Sequence, residues 1–191
     1  MLSASAVASA VAGRLDSIRE TQDEWDAVTE VVQAEIAPRV ATEGAEAVLA
    51  ALVQGKNDPF VAAVLVDVSG VSDVPLASSG REFFRINEVF TDDEIVGAAL
   101  EYLDNLPGSG LSDGEWAWTA LWNGWRQLDE DAHLRLVCKL IERAPDSDEV
   151  LALIADGPVR ELIECGKREE LEGLAGSDTR IVRVLGLMPK R

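Results

Sequence analysis

Histidine is almost missing from this chain: His133 is the only one among 191 residues. A Cys/His zinc site needs several such ligands, so one imidazole nearly excludes it. Cysteine is scarce too. Cys138 and Cys165 sit in apolar helical patterns rather than at disulfide or metal spacings, and are expected as small buried hydrophobes. Tyrosine occurs once and phenylalanine four times, which leaves five tryptophans to carry the aromatic bulk. Long apolar runs are also absent. The richest, Phe60 to Val68, is about half of the roughly 18 residues that a membrane-spanning helix needs, and Asp67 interrupts it.

Positive charge is the last shortage. Seventeen Lys and Arg face 35 Asp and Glu, for a net charge of −18. The excess is uneven: −8 over residues 1–90, −11 over 91–157 and +1 over 158–191. So acidic a middle segment repels phosphate backbones, which argues against a nucleic-acid partner. It would attract a basic protein partner instead, by salt-sensitive steering. A surface kept solvated by acid is the plain alternative. With 47% apolar and 27% charged residues, the chain reads as globular rather than disordered.

What is present is legible helix punctuation. Ser/Thr followed three residues later by Glu can satisfy two orphan backbone donors reciprocally. The pattern occurs at Thr21…Glu24, Thr91…Glu94 and Ser112…Glu115, and more weakly at Ser79…Glu82. Phe90 and Ile95 would staple the second start, and Asp58-Pro59 opens another helix. Stops are read at Pro38, Gly55, Gly70, Pro107, Pro145, Gly157, Gly166 and Gly176. Between them the apolar spacing is helical, as in Trp25, Val28, Val32 and Ile36. The β-branched stretch 60–68 could form a strand, but its Asp-Pro start favours a helix. The N-terminal "MLSASAVASAVAG" lacks a basic flank and reads as an Ala-rich helix with Val7, Val11, Leu15 and Ile18 on one stripe. A cytoplasmic protein without a membrane anchor is expected.

The fold expected is all-α, with about ten helices in an irregular multi-helical bundle or a HEAT-like stack of short hairpins. Residues 1–70 form an N-terminal helical group, 71–90 a linker with a short helix, and 91–191 a C-terminal helical group, together one compact unit. Residues 35–55 and 141–157 look alike as helix–Pro–helix–Gly units, which permits a repeat without establishing one.

"AWTALW" and "LIERAPDSDEVLALIADGPVRELI" carry a resemblance. Ala117 and Trp118, the turn Glu142 to Asp146, and Gly157, Pro158 and Leu162 resemble the motifs of a bacterial all-helical family grouped as a domain of unknown function. Val159, Arg160 and Glu161 depart from its usual Leu-Glu-Asp. The resemblance covers about a quarter of the chain. It implies an all-α fold and no assigned activity.

Catalytic patterns are weak. Glu130 and His133 have the spacing of half a carboxylate-bridged metal pair, but no second histidine exists. His133 is therefore expected at a surface or boundary position, and no metal or cofactor is expected. No Gly-x-Ser-x-Gly elbow occurs, and "PGSGLSDGE" lacks the cation of a phosphate loop. Residues 116–125 hold four tryptophans. On a helix starting after Ser112, Trp118, Trp122 and Trp125 form one buried stripe, while Trp116 falls at the staple position. The remaining candidates for partner binding are Trp116 with Glu115, and the acidic run Asp129, Glu130 and Asp131. The expected function is a non-enzymatic acidic interaction module, either an adaptor or an immunity-type inhibitor of a basic partner. A carboxylate-based metal or small-molecule binder, or enzyme, is the alternative. Self-association into a homo-oligomer is a third reading.

Overall fold

In the computed structural model, residues 2–17, 23–69, 84–106, 110–176 and 178–188 are described, apart from the side chains of Ser112 and Trp125. The weak start at Ser79, the start at Thr21, Ile18, and the stops at Gly70 and Pro107 lie outside these residues. Helix α1 (Ala4–Leu15) is followed by α2 (Glu24–Val31), which runs through a π turn, Val32–Ile36, into α3 (Ala37–Glu43). Next come α4 (Ala45–Gln54), α5 (Pro59–Val68), the single turn α6 (Ile86–Val89) and α7 (Asp92–Asp104). A 3-10 turn, Leu111–Asp113, leads to α8 (Glu115–Trp122), α9 (Gly124–Gln127) and α10 (Glu130–Arg143). Helix α11 (Asp148–Ile154) continues through a second π turn, Ala155–Val159, into α12 (Arg160–Glu164). The chain closes with α13 (Arg168–Ala175) and α14 (Thr179–Leu187). No strand occurs among the described residues, and ten of the helices reach seven residues once π-joined segments are counted as one.

Helix α5 organises the packing. The Asp58 carboxylate accepts from Phe60 N and Val61 N at 3.0 and 3.3 Å, and Pro59 occupies the first turn, where its missing N–H costs nothing. Beyond the cap the helix is apolar on all sides, so only a central position can bury it. Val61 to Val66 and Val68 are all buried, and α1, α2, α4 and α8 surround them. The stretch 60–68 is thus a core helix and not a strand. In a solenoid each repeat touches only its sequence neighbours. Contact between α5 and α8 breaks that pattern, which makes the architecture an irregular bundle.

Two stops read from the sequence are corrected. Pro38 and Gly157 lie inside continuous helical rods. A proline ring clashes with the carbonyl four residues back, and the wider π turn beside Pro38 or around Pro158 relieves the clash without ending the helix. Pro145, in contrast, does separate α10 from α11, so the two helix–Pro–helix segments are not equivalent. The second of the family-like motifs, Gly157-Pro158, is consequently a widened helix rather than a turn.

Helix starts are mixed. Thr91 and Glu94 form the expected box: Thr91 Oγ1 accepts from Glu94 N at 3.3 Å, and Glu94 accepts from Thr91 N at 2.7 Å. Phe90 and Ile95 are both buried beside it. Helix α2 starts instead on Asp23, whose carboxylate accepts from Trp25 N at 3.0 Å. The Ser112…Glu115 box does not start α8. Gly114 is its N-cap, in the left-handed region at φ 91°, so Glu115 is the first helical residue. A Cβ at Gly114 would stand 2.1 Å from Ala98 O, so this glycine also sets the close approach of α8 to α7.

Candidate functional site

Helix α8 presents tryptophans to two sides. On one, Trp116 is 7% exposed and packs on Phe90, with ring centroids 4.5 Å apart. Lys56 Nζ covers the same Phe90 ring at 5.2 Å, donates to Val89 O at 3.0 Å, and pairs with Glu94 at 2.8 Å. The bonds from Lys56 hold the Glu94 carboxyl below its ordinary range. These residues line a groove of about 400 Å³ in which Lys56 and Glu94 already pair with each other.

On the other side Tyr102 stacks on Trp118 at 5.9 Å, and Trp118 meets Trp122 edge-on at 6.1 Å. The ladder ends in solvent, for Trp122 is 45% exposed. A Cβ at Gly157 would stand 3.1 Å from its ring, so Trp122 lies over the second π turn. This corrects the expected stripe of Trp118, Trp122 and Trp125. The helix breaks at Asn123, so α8 and α9 do not share one continuous face. Among the described residues the exposed tryptophan is Trp122, while Trp116, for which exposure was at issue, is buried.

The acidic candidates are spoken for in different ways. Glu115 is half-buried and accepts from Trp25. Burial pushes its carboxyl up, and Glu24 and Asp23 add to the rise. Asp129 caps α10 by accepting from Ala132 N at 2.7 Å. Glu130 pairs with Lys167 at 3.3 Å. Asp131 is exposed on the first turn of α10, beside a groove that Arg135 also lines. The acids that open α7 are paired as well. Arg135 holds Asp92 at 2.8 Å, and Lys139 and Arg143 reach Asp93 at 3.1 and 3.0 Å. Arg183 bridges Asp146 and Asp148, and Arg160 pairs with Asp156. Much of the scarce positive charge is therefore spent internally.

His133 is corrected from boundary to core: it is 2% exposed. Its Nε2 lies 3.0 Å from Leu121 O, an obligate acceptor, which assigns the proton to Nε2. Burial pulls the imidazole down to about 4, so it is neutral at pH 7. Cys138 is half-buried and burial pushes its thiol up. Cys165 departs from the expected buried position, because it follows α12 at an exposed C-cap. Its thiol is raised too, by partial burial and then by Glu161, Glu130 and Glu164, so neither cysteine is poised as a thiolate nucleophile.

One polar cavity was not anticipated. Where α2, the C-terminus of α5, α8 and α9 converge, a space of about 310 Å³ is lined by Trp25, Asp67, Ser69 and Gln127, among others. Its signal is invisible in sequence, since those residues come from separate helices. Among the described residues, no group of three or more His, Cys, Asp or Glu is placed to hold a metal, and no helix is long and apolar enough to cross a membrane. No family model, curated protein or solved structure matches the chain.

Proposed function

We propose that this protein is a non-enzymatic helical interaction module, an adaptor or an immunity-type inhibitor, that docks a basic protein partner in the cytoplasm. The observation that carries the reading is the solvent-exposed end of the aromatic ladder at Trp122. Indole rings with one open face are favoured interface anchors. Leu153 is also exposed and precedes Gly157, beneath Trp122, by one helical turn. Two exposed acids of α7, Glu101 and Asp104, bracket Tyr102 in the sequence. The −11 charge of residues 91–157 supplies long-range steering toward a basic surface. Kinship with the helical family that residues 116–164 resemble belongs to the same proposal and brings no activity with it.

The test is capture from the source cell with the wild-type chain and a Trp122→Ala chain as baits, at low and at high salt. A basic protein held by wild type at low salt, released at high salt and lost by the variant is the expected result. Equal recovery on both baits, or no basic protein on either, overturns the reading. A mass of twice the monomer in solution, abolished by Trp122→Ala, would assign the edge to self-association instead.

A further inference from the structure

We propose that the cavity between α2, α5, α8 and α9 is a binding site for a small organic cation bearing a primary ammonium or guanidinium group. The cavity's lining includes donors on Thr29, Thr119, Asn123 and Arg126, yet one of its residues keeps an acceptor without a partner. Gln127 is 8% exposed, and its Oε1 is buried with no hydrogen-bond partner. Its orientation is fixed, because Nε2 donates to Val66 O at 3.2 Å. A buried carboxamide oxygen left unmet loses its hydration without compensation, an arrangement native proteins mostly avoid. Ser69 is buried and spends its hydroxyl proton on Val66 O at 2.8 Å, which leaves its oxygen an acceptor.

Asp67 adds the charge. It is the one acid of the core helix α5, and it accepts a hydrogen bond from the Thr29 hydroxyl at 3.3 Å. No cation among the described residues acts on it. Arg126, which also lines the cavity, exerts its charge on Glu161. Burial accordingly pushes the Asp67 carboxyl up. The C-terminal end of α5 contributes the negative pole of its helix dipole to the same place. Trp25 supplies an aromatic wall, a surface that favours cations. An anion would meet Asp67 and the helix terminus unfavourably, and an apolar molecule would leave the Gln127 oxygen unmet. A cation with several N–H donors answers all of these groups together. The volume suits a molecule smaller than most drug-sized ligands, for which pockets of roughly 300 Å³ mark the lower bound.

The full chain, titrated calorimetrically with agmatine and putrescine as cations, glycerol as a neutral donor and glutarate as an anion, tests the site. Saturable one-to-one binding of at least one of the two cations is expected, with glycerol and glutarate silent. Asp67→Asn should weaken the cation about tenfold or more, and Gln127→Leu by a smaller factor. Both variants should keep the wild-type circular dichroism. Asp67→Asn should melt no lower than wild type, since it removes a half-buried carboxyl whose charged form burial disfavours. Absence of saturable cation binding, equal binding of glycerol or glutarate, or cation binding undiminished in both variants overturns the proposal. The last outcome would mark a general attraction of amines to the acidic surface.

Discussion

Two polar side chains six residues apart, Gln127 and His133, are both buried, yet the fold meets their needs differently. His133 makes the bond that closes a helix. Its Nε2–H donates to Leu121 O in the last turn of α8, where carbonyls lack intrahelical donors. Gly124 lies flat against the ring: a Cβ there would stand 2.3 Å from Nε2 and 2.4 Å from Cδ2. Gln127 donates to Val66 O, an oxygen that already accepts from the backbone and hydroxyl of Ser69 at 3.2 and 2.8 Å. Its own oxygen is left unmet. Both residues line cavities, but one polar group is locked by a partner that depends on it, and the other has an acceptor to spare. The first is structural; the second is available to a ligand.

The largest expected effect comes from attacking the lock. Gly124→Ala drives a methyl into the His133 ring, and moving the ring aside would break its bond to Leu121 O. A loss of about 3 kcal/mol or more is expected in urea denaturation. A loss below about 1 kcal/mol would mean that the ring moves freely, and the contrast with Gln127 would collapse.

Next is His133→Leu, which removes the donor and strands Leu121 O. About 2 kcal/mol should be lost at pH 7. Its pH dependence is more diagnostic. The unfolded imidazole titrates near 6.5, and the folded one is held down to about 4. Between these values the unfolded chain takes up a proton that the folded chain refuses. The His133 contribution is therefore fully present above 6.5 and is lost as pH falls toward 4, by roughly 3 kcal/mol in total. Asp67 and Glu115, whose carboxyls are raised, act in the opposite sense. The difference between wild type and His133→Leu isolates the histidine. It should shrink steadily as pH drops from 6.5 to 4, and a constant difference would place the histidine in water.

What the sequence disclosed follows from how local each signal is. The Asp58-Pro59 start and the apolar spacing behind it identify α5 as a helix, because capping and periodicity are read within ten residues. The Thr91…Glu94 box is equally local. Pro38 and Gly157 misled for the same reason: a proline, or a glycine before one, looks like a stop until packing holds the rod together and a π turn takes up the strain. The tryptophan stripe failed at Asn123, where the chain leaves the helix and turns Trp122 outward. His133 read as a boundary residue, since its partner is a backbone carbonyl of another helix. Nothing marked Gln127, because its unmet oxygen exists only where four helices meet.

The smallest expected effect sharpens the comparison most. Gln127→Leu deletes a bond that Val66 O does not need, and with it a buried acceptor that has no partner. The carbonyl keeps both bonds from Ser69, and leucine fills similar volume beside an apolar helix. Stability should therefore stay within about 1 kcal/mol of wild type, with any change toward greater stability. The slope between pH 4 and 6.5 should be unaltered. The same replacement by leucine, at two buried polar positions, would then cost about 2 kcal/mol at one and almost nothing at the other. A loss of about 2 kcal/mol at Gln127 in calorimetric melting would show that its amide holds α9 against α5, and would give both residues the same structural role.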